Sequence, residues 1–207
     1  MPIENPLTYL QGRKPGKNYT LSAFSQPFDF DGYEIHDHNA CAIYAVAAVI
    51  THHLKPADGI GFAARLEQCK EIAVSNGYGR EENYYLNILK YEPYSRNCLS
   101  LYNTDLQPDS DLFFPWKSAC RQINAGYPVL INIWREEGSG YHDHTVVAYG
   151  WCTYVDDSQK EYRFYKVRDG YNAKASRYVD VERLGLYYIT KIFLKQSISH
   201  PLQDPGV

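Results

Sequence analysis

Three residues far apart in the chain have types that together perform acyl-transfer chemistry. Cys41 stands at the front of the alanine-rich run "HNACAIYAVAAVITHH", which reads as a buried helix. A cysteine there can be plain core, since it is small and among the most often buried residues. A thiol at a helix N-terminus is also the usual setting of a reactive one. His144 leads "HTVVAYGW", where strand alternation puts Val146 and Ala148 on its face. That small-residue face is expected to pack on the alanine-rich helix and bring the imidazole to the thiol. Asp169 ends "YKVRD", ahead of Gly170 and Tyr171, where a carboxylate can reach the far ring nitrogen of His144.

The chemistry needs such a set. A free thiol has a pKa of about 8.5 and is mostly protonated at neutral pH; a helix N-terminus and an imidazolium lower that value. The thiolate attacks a carbonyl carbon and the imidazolium protonates the departing amine. A third group fixes the tautomer and orientation of the ring, and a backbone N–H at the helix start serves as one oxyanion donor. Asn39 is a natural N-cap for the helix and a candidate for a second oxyanion donor. A different chemistry is written in "IHDHN" and "YHDHT". Each holds His-Asp-His, and alternate strand positions would put the pairs His36, His38 and His142, His144 on one face, as a zinc site requires. Chance repetition of so short a motif is the simpler reading, and no metal is assigned.

These residues need elements to position them. Residues 1–37, rich in Pro, Gly, Asn and Asp, read as an irregular lead-in. A buried helix is expected from about Asn39 to Leu54-Lys55, stopped by Pro56, with His52 and His53 as structural cations suited to its C-terminal dipole. A second helix spans Gly61–Ser75, with Asn76-Gly77 as its stop. Residues 78–112 are ambiguous between a short helix and turns around Pro93 and Pro108. A helix over Trp116–Asn124, a stop at Gly126 and a strand over Pro128–Trp134 follow. Further strands are "HTVVAYGW", "YRFYKVRD" and "GLYYITKIFL". Helices first and antiparallel strands afterwards is an α+β pattern: one domain over 1–207, mainly helical over 38–125 and an antiparallel sheet over 126–195.

Bulk properties narrow the classes. The 207 residues carry a net charge of −3 with basic residues scattered, which points away from nucleic acid as a partner. The longest apolar run, Ala40–Ile50, is well short of the about 18 residues of a membrane span. No leader pattern is present, so the chain reads as cytoplasmic as it stands and as secreted or cell-surface where a leader has been removed. Five cysteines are an odd count in no CxxC spacing, which indicates neither a structural zinc nor a thioredoxin-like motif. Cys69, Cys98, Cys120 and Cys152 read as structural.

The stretches "NACAIYAVAAVI", "INAGYPVLINIW", "HTVVAYGW" and "YKVRDGY", in that order, resemble the papain-like cysteine peptidases. The similarity is to their compact bacterial branches, which include double-glycine-leader peptidases and streptopain-like enzymes. The resemblance implies a papain-like fold, a peptide or protein substrate and no cofactor. It implies Cys41 as nucleophile, His144 as base and acid, and Asp169 as the orienting residue. Tyr171 falls where many relatives carry a shielding Trp. One departure is clear: Ile35 occupies the place of the family's oxyanion-hole Gln, leaving Asn39, or less favourably His38, as the donor. That departure keeps open a second reading, a catalytically weak or inactive peptide-binding protein on the same scaffold. A zinc-dependent hydrolase built on the two His-Asp-His segments is the third.

Overall fold

The computed structural model describes residues 3–26, 28–37, 39–80, 83–112, 115–133, 143–184 and 187–194. In chain order the elements are α1 (Pro6–Arg13), β1 (Tyr19–Phe24), α2 (Cys41–Asp58), α3 (Phe62–Ser75), α4 (Tyr91–Leu99), β2 (Leu106–Leu112), α5 (Trp116–Asn124), β3 (Val129–Ile133), β4 (His144–Asp156), β5 (Glu161–Arg168), β6 (Arg177–Asp180) and β7 (Tyr187–Leu194). The strands form one antiparallel sheet in the order β2-β7-β3-β4-β5-β6. β4 is long enough for two neighbours along one edge: β3 on residues 144–148 and β1 on residues 152–156. This is the α+β, papain-like architecture, with the helix that begins at Cys41 packed on the sheet.

α2 is held by burial more than by its ends. Every residue from Ala42 to Thr51 is buried, and Ala40 supplies no side-chain cap. Burying Ile43, Val46, Val49 and Ile50 stabilises by about 1.5–3 kcal/mol each, well beyond the few tenths of a kcal/mol per residue that separate their helix propensities from alanine's. The intervening alanines let the helix lie close to the sheet, where it meets Leu130, Val147, Tyr149 and Ile192. On the opposite face of the sheet, Ala119 and Ile123 of α5 pack with Val129, Ile131, Val146 and Ala148.

That division corrects one expectation. The β4 face that covers α2 carries Val147 and Tyr149, whereas Val146 and Ala148 face α5. Alternation therefore places Thr145, not His144, on the helix side. His144 reaches Cys41 because it is the first residue of the strand, at the sheet's end beside the N-terminus of α2.

Other departures have simple causes. The lead-in is not irregular throughout: Asn5 Oδ1 accepts from Thr8 N at 3.1 Å and Pro6 sits in the first turn, so α1 starts in a stretch dominated by turn residues. β1 and β2 also fall outside the C-terminal region assigned to the sheet. Pro56 does not stop α2, which runs to Asp58 and ends at Gly59, φ 70°. In an exposed last turn the proline costs only one bond. Pro93 is the third residue of α4, where no intrahelical donor is needed. Pro108 lies in β2, an edge strand that tolerates a missing N–H.

Candidate active site

The N-terminus of α2, the first residues of β4, the 85–91 segment and the 169–171 turn surround a cleft of about 710 Å³. Cys41 is the first residue of α2, so its own N–H is one of the helix's unpaired amides. The structural N-cap is Ala40, not Asn39. Asn39 sits just outside in the left-handed region, φ 54°, lines the cleft, and donates from Nδ2 to Asn83 Oδ1 at 3.1 Å.

His144 is buried, and its Nε2 lies 2.7 Å from the Asp169 backbone carbonyl. A carbonyl oxygen only accepts, so Nε2 carries the proton and the ring's lone pair is on Nδ1. Nδ1 is thus the nitrogen able to take a proton from the thiol, with which the ring shares a hydrogen bond. Asp169 holds the ring through its main chain at this contact, while its Oδ1 accepts from Tyr171 N at 3.1 Å. The Tyr171 ring then stacks on the imidazole, centroids 4.7 Å apart and planes 6° apart. One face of Tyr171 covers the ring although the residue is 59% exposed.

The electrostatics favour an ion pair. Burial pushes the Cys41 thiol up, but the hydrogen bond and charge of His144, with the N–H and hydroxyl of Thr145, outweigh it and hold the thiol below its ordinary value. Burial pushes His144 down, and the bond to Cys41, its charge, the Asp169 carbonyl and the Asp169 charge turn the balance upward. Thiolate and imidazolium are each favoured by the other. Three other thiols go the other way: burial raises Cys120 and Cys152 to about 12, and Cys69 is raised by its contact with Cys98 and by burial.

The fold thus brings together a cysteine at a helix N-terminus, an imidazole at the start of a strand and a residue just after the next strand. The model of the Peptidase_C39 like family matches residues 26–190. The chain belongs to this family of peptidases. Its matched region begins before the segment that leads into Cys41 and includes His144 and Asp169. No curated protein matches the chain.

Within the family's matched region, the segment before Cys41 has a task that composition did not reveal. Ile35 N donates to Gly170 O at 2.9 Å and Tyr33 OH to Arg168 O at 3.3 Å. Gly170 has φ 78°, and a Cβ on it would lie 2.4 Å from Ile35 Cδ1. A Cβ on Gly32 would lie 1.5 Å from Ala173 O. Both glycines are required for the lead-in to press against the turn that carries Asp169. Ile35 is therefore a buttress of that turn.

Thr145, Tyr91 and Asn132 also line the cleft and were not singled out as site residues. Strand alternation from Val147 was the signal for Thr145. Of the two His-Asp-His segments, His38 and His142 lie outside the described residues. Asp37 accepts from Tyr44 OH at 2.6 Å and pairs with Lys70 at 2.8 Å. Among the described residues no group of three or more His, Cys, Asp or Glu is placed to hold a metal, and no helix is long and apolar enough to cross a membrane.

Proposed function

We propose that the protein is a cysteine peptidase that hydrolyses a peptide or amide bond through an acyl-enzyme. The observation that carries this reading is the Cys41–His144 pair, with the far imidazole nitrogen bonded to Asp169 and the ring covered by Tyr171. The Cys41 thiolate attacks the scissile carbonyl, forming the C–S bond. The Cys41 N–H, with Asn39 as the candidate side-chain donor, receives the oxyanion charge. An amide carries two N–H groups, so the bond to Asn83 orients Asn39 and leaves it a donor. His144 gives its Nδ1 proton to the amine as the C–N bond breaks. Water then attacks the thioester, His144 takes its proton, and cleavage of the C–S bond restores the thiolate.

Substoichiometric iodoacetamide near neutral pH, followed by peptide mapping, tests the nucleophile. Cys41 is expected to label first among the five thiols, and His144→Ala is expected to slow it and abolish peptide turnover. Preferential labelling of Cys69, Cys98, Cys120 or Cys152 refutes the assignment. A Cys41 no faster than a model thiol identifies a non-catalytic peptide binder, and turnover that depends on added zinc overturns the thiol mechanism.

A further inference from the structure

The hydroxyl of Thr145 has one proton and several partners. Thr145 Oγ1 donates to Asn132 Oδ1 at 3.1 Å, and Tyr91 OH bonds the same Oγ1. With the threonine proton on Asn132, Tyr91 is the donor in that bond. Asn132 Nδ2 donates to Thr190 Oγ1 at 3.4 Å, and Thr190 pairs with Ser110 at 2.9 Å. The ladder crosses β4, β3, β7 and β2, and Tyr91, Asn132, Thr145 and Thr190 are all buried. Four buried polar side chains in a sheet are costly unless each is paired. At the cleft end, Thr145 and Cys41 line the same cavity, Thr145 on the face of β4 that meets α2, and the hydroxyl and N–H of Thr145 help hold the Cys41 thiol below its ordinary value.

We infer that Thr145 is a second donor to the Cys41 sulfur, and that its hydroxyl proton swings from Asn132 Oδ1 to Sγ when the thiolate forms, with Tyr91 and Asn132 as its positioning residues. This rests on Cys41 being the nucleophile. A thiolate is a charged acceptor, and bonds to charged acceptors are roughly twice as strong as neutral ones, so it takes the proton from an amide oxygen. Tyr91 keeps Oγ1 satisfied in both arrangements and strengthens the hydroxyl as a donor. When the sulfur attacks, its charge passes to the substrate oxygen and the proton returns to Asn132. Only hydrogen bonds change; Thr145 remains a hydroxyl throughout.

The titratable groups that interact with Cys41 are His144 from β4, Tyr33 from the lead-in, Tyr91 from α4 and Tyr171 from the turn after β5, where Asp169 in turn acts on His144. Asp143 lies on the wall of the same cleft. Burial holds Tyr33, Tyr91 and Tyr171 above the ordinary tyrosine value, so none ionises near neutrality.

The experiment is the pH dependence of Cys41 alkylation by iodoacetamide in the full-length protein, located by mass spectrometry. Thr145→Val, close in shape but without the hydroxyl, should move the midpoint up by about one unit, the size of one hydrogen bond to a charged group. Thr145→Ser should restore it, and Tyr91→Phe should move it in the same direction by less. A packing role alone would change the rate equally at all pH values and leave the midpoint in place. A folded Thr145→Val with the wild-type midpoint overturns the proposal; if that variant fails to fold, an unmoved midpoint in Tyr91→Phe does so. An ordinary thiol midpoint in the wild type overturns the nucleophile reading and this proposal together. A depressed wild-type midpoint that ignores Thr145 overturns this proposal alone.

Discussion

Replacing His53 with Phe should remove much of the protein's sensitivity to mild acid. His53 lies near the end of α2, its ring 5.3 Å from Tyr127 and 5.1 Å from His52. Its Nε2 is buried with no hydrogen-bond partner among the described residues. Burial and the neighbouring His52 lower its pKa from 6.5 to about 4. The folded protein therefore holds His53 neutral, while the unfolded chain takes up a proton near 6.5. This contribution to stability is complete above the unfolded value and is lost as pH falls through that value toward 4. For these two values, linkage gives a loss of about 2 kcal/mol between pH 8 and pH 5, approaching about 3 kcal/mol in stronger acid. His53→Phe keeps an aromatic ring beside Tyr127 and cannot titrate. Urea unfolding of both proteins at pH 8 and pH 5 should show the wild type losing about 2 kcal/mol more than the variant. Carboxylates and His52 titrate in both and cancel in the difference. Equal losses in the two proteins would refute the buried, neutral assignment of His53.

Three other outcomes follow from single contacts. Gly170→Ala must push a methyl into Ile35 from a left-handed backbone; alkylation of Cys41 should lose its rate advantage over a model thiol, and a variant with wild-type labelling contradicts the proposed buttress. Tyr171→Ala uncovers the imidazole and its bond to Asp169, so peptide turnover should fall severalfold while Tyr171→Phe retains most of it; equal losses from both would assign the effect to the hydroxyl. Asp58 makes two 2.7 Å contacts with the guanidinium of Arg65, whose side chain is fully buried. Asp58→Ala removes that partner and should lower the urea midpoint, and an unmoved midpoint would show that the guanidinium's stacking on Tyr102, 4.6 Å from the ring centroid, suffices.

The sequence by itself determined the elements whose pattern is local. The apolar run after Cys41, the Asn76-Gly77 stop and the helix over Trp116–Asn124 are each encoded within a dozen or so neighbouring residues, as was the alternation of β4 and β5. It also indicated Cys41, His144, Asp169 and Tyr171 as members of one site, through the order of motifs and the resemblance they carry. Proximity was decided only by the tertiary structure, because strand pairing over long sequence separations places His144 beside Cys41 and the Asp169 turn against Tyr33 and Ile35. The same holds for charge: His52 and His53 read as cations at a helix end, yet packing against aromatic neighbours favours their neutral forms. The contact from Asp169 to the ring through its carbonyl, and the side of β4 that meets α2, depend on backbone direction and on where a strand begins. Neither is written in residue type, since a one-residue shift in a strand exchanges its two faces without changing its composition.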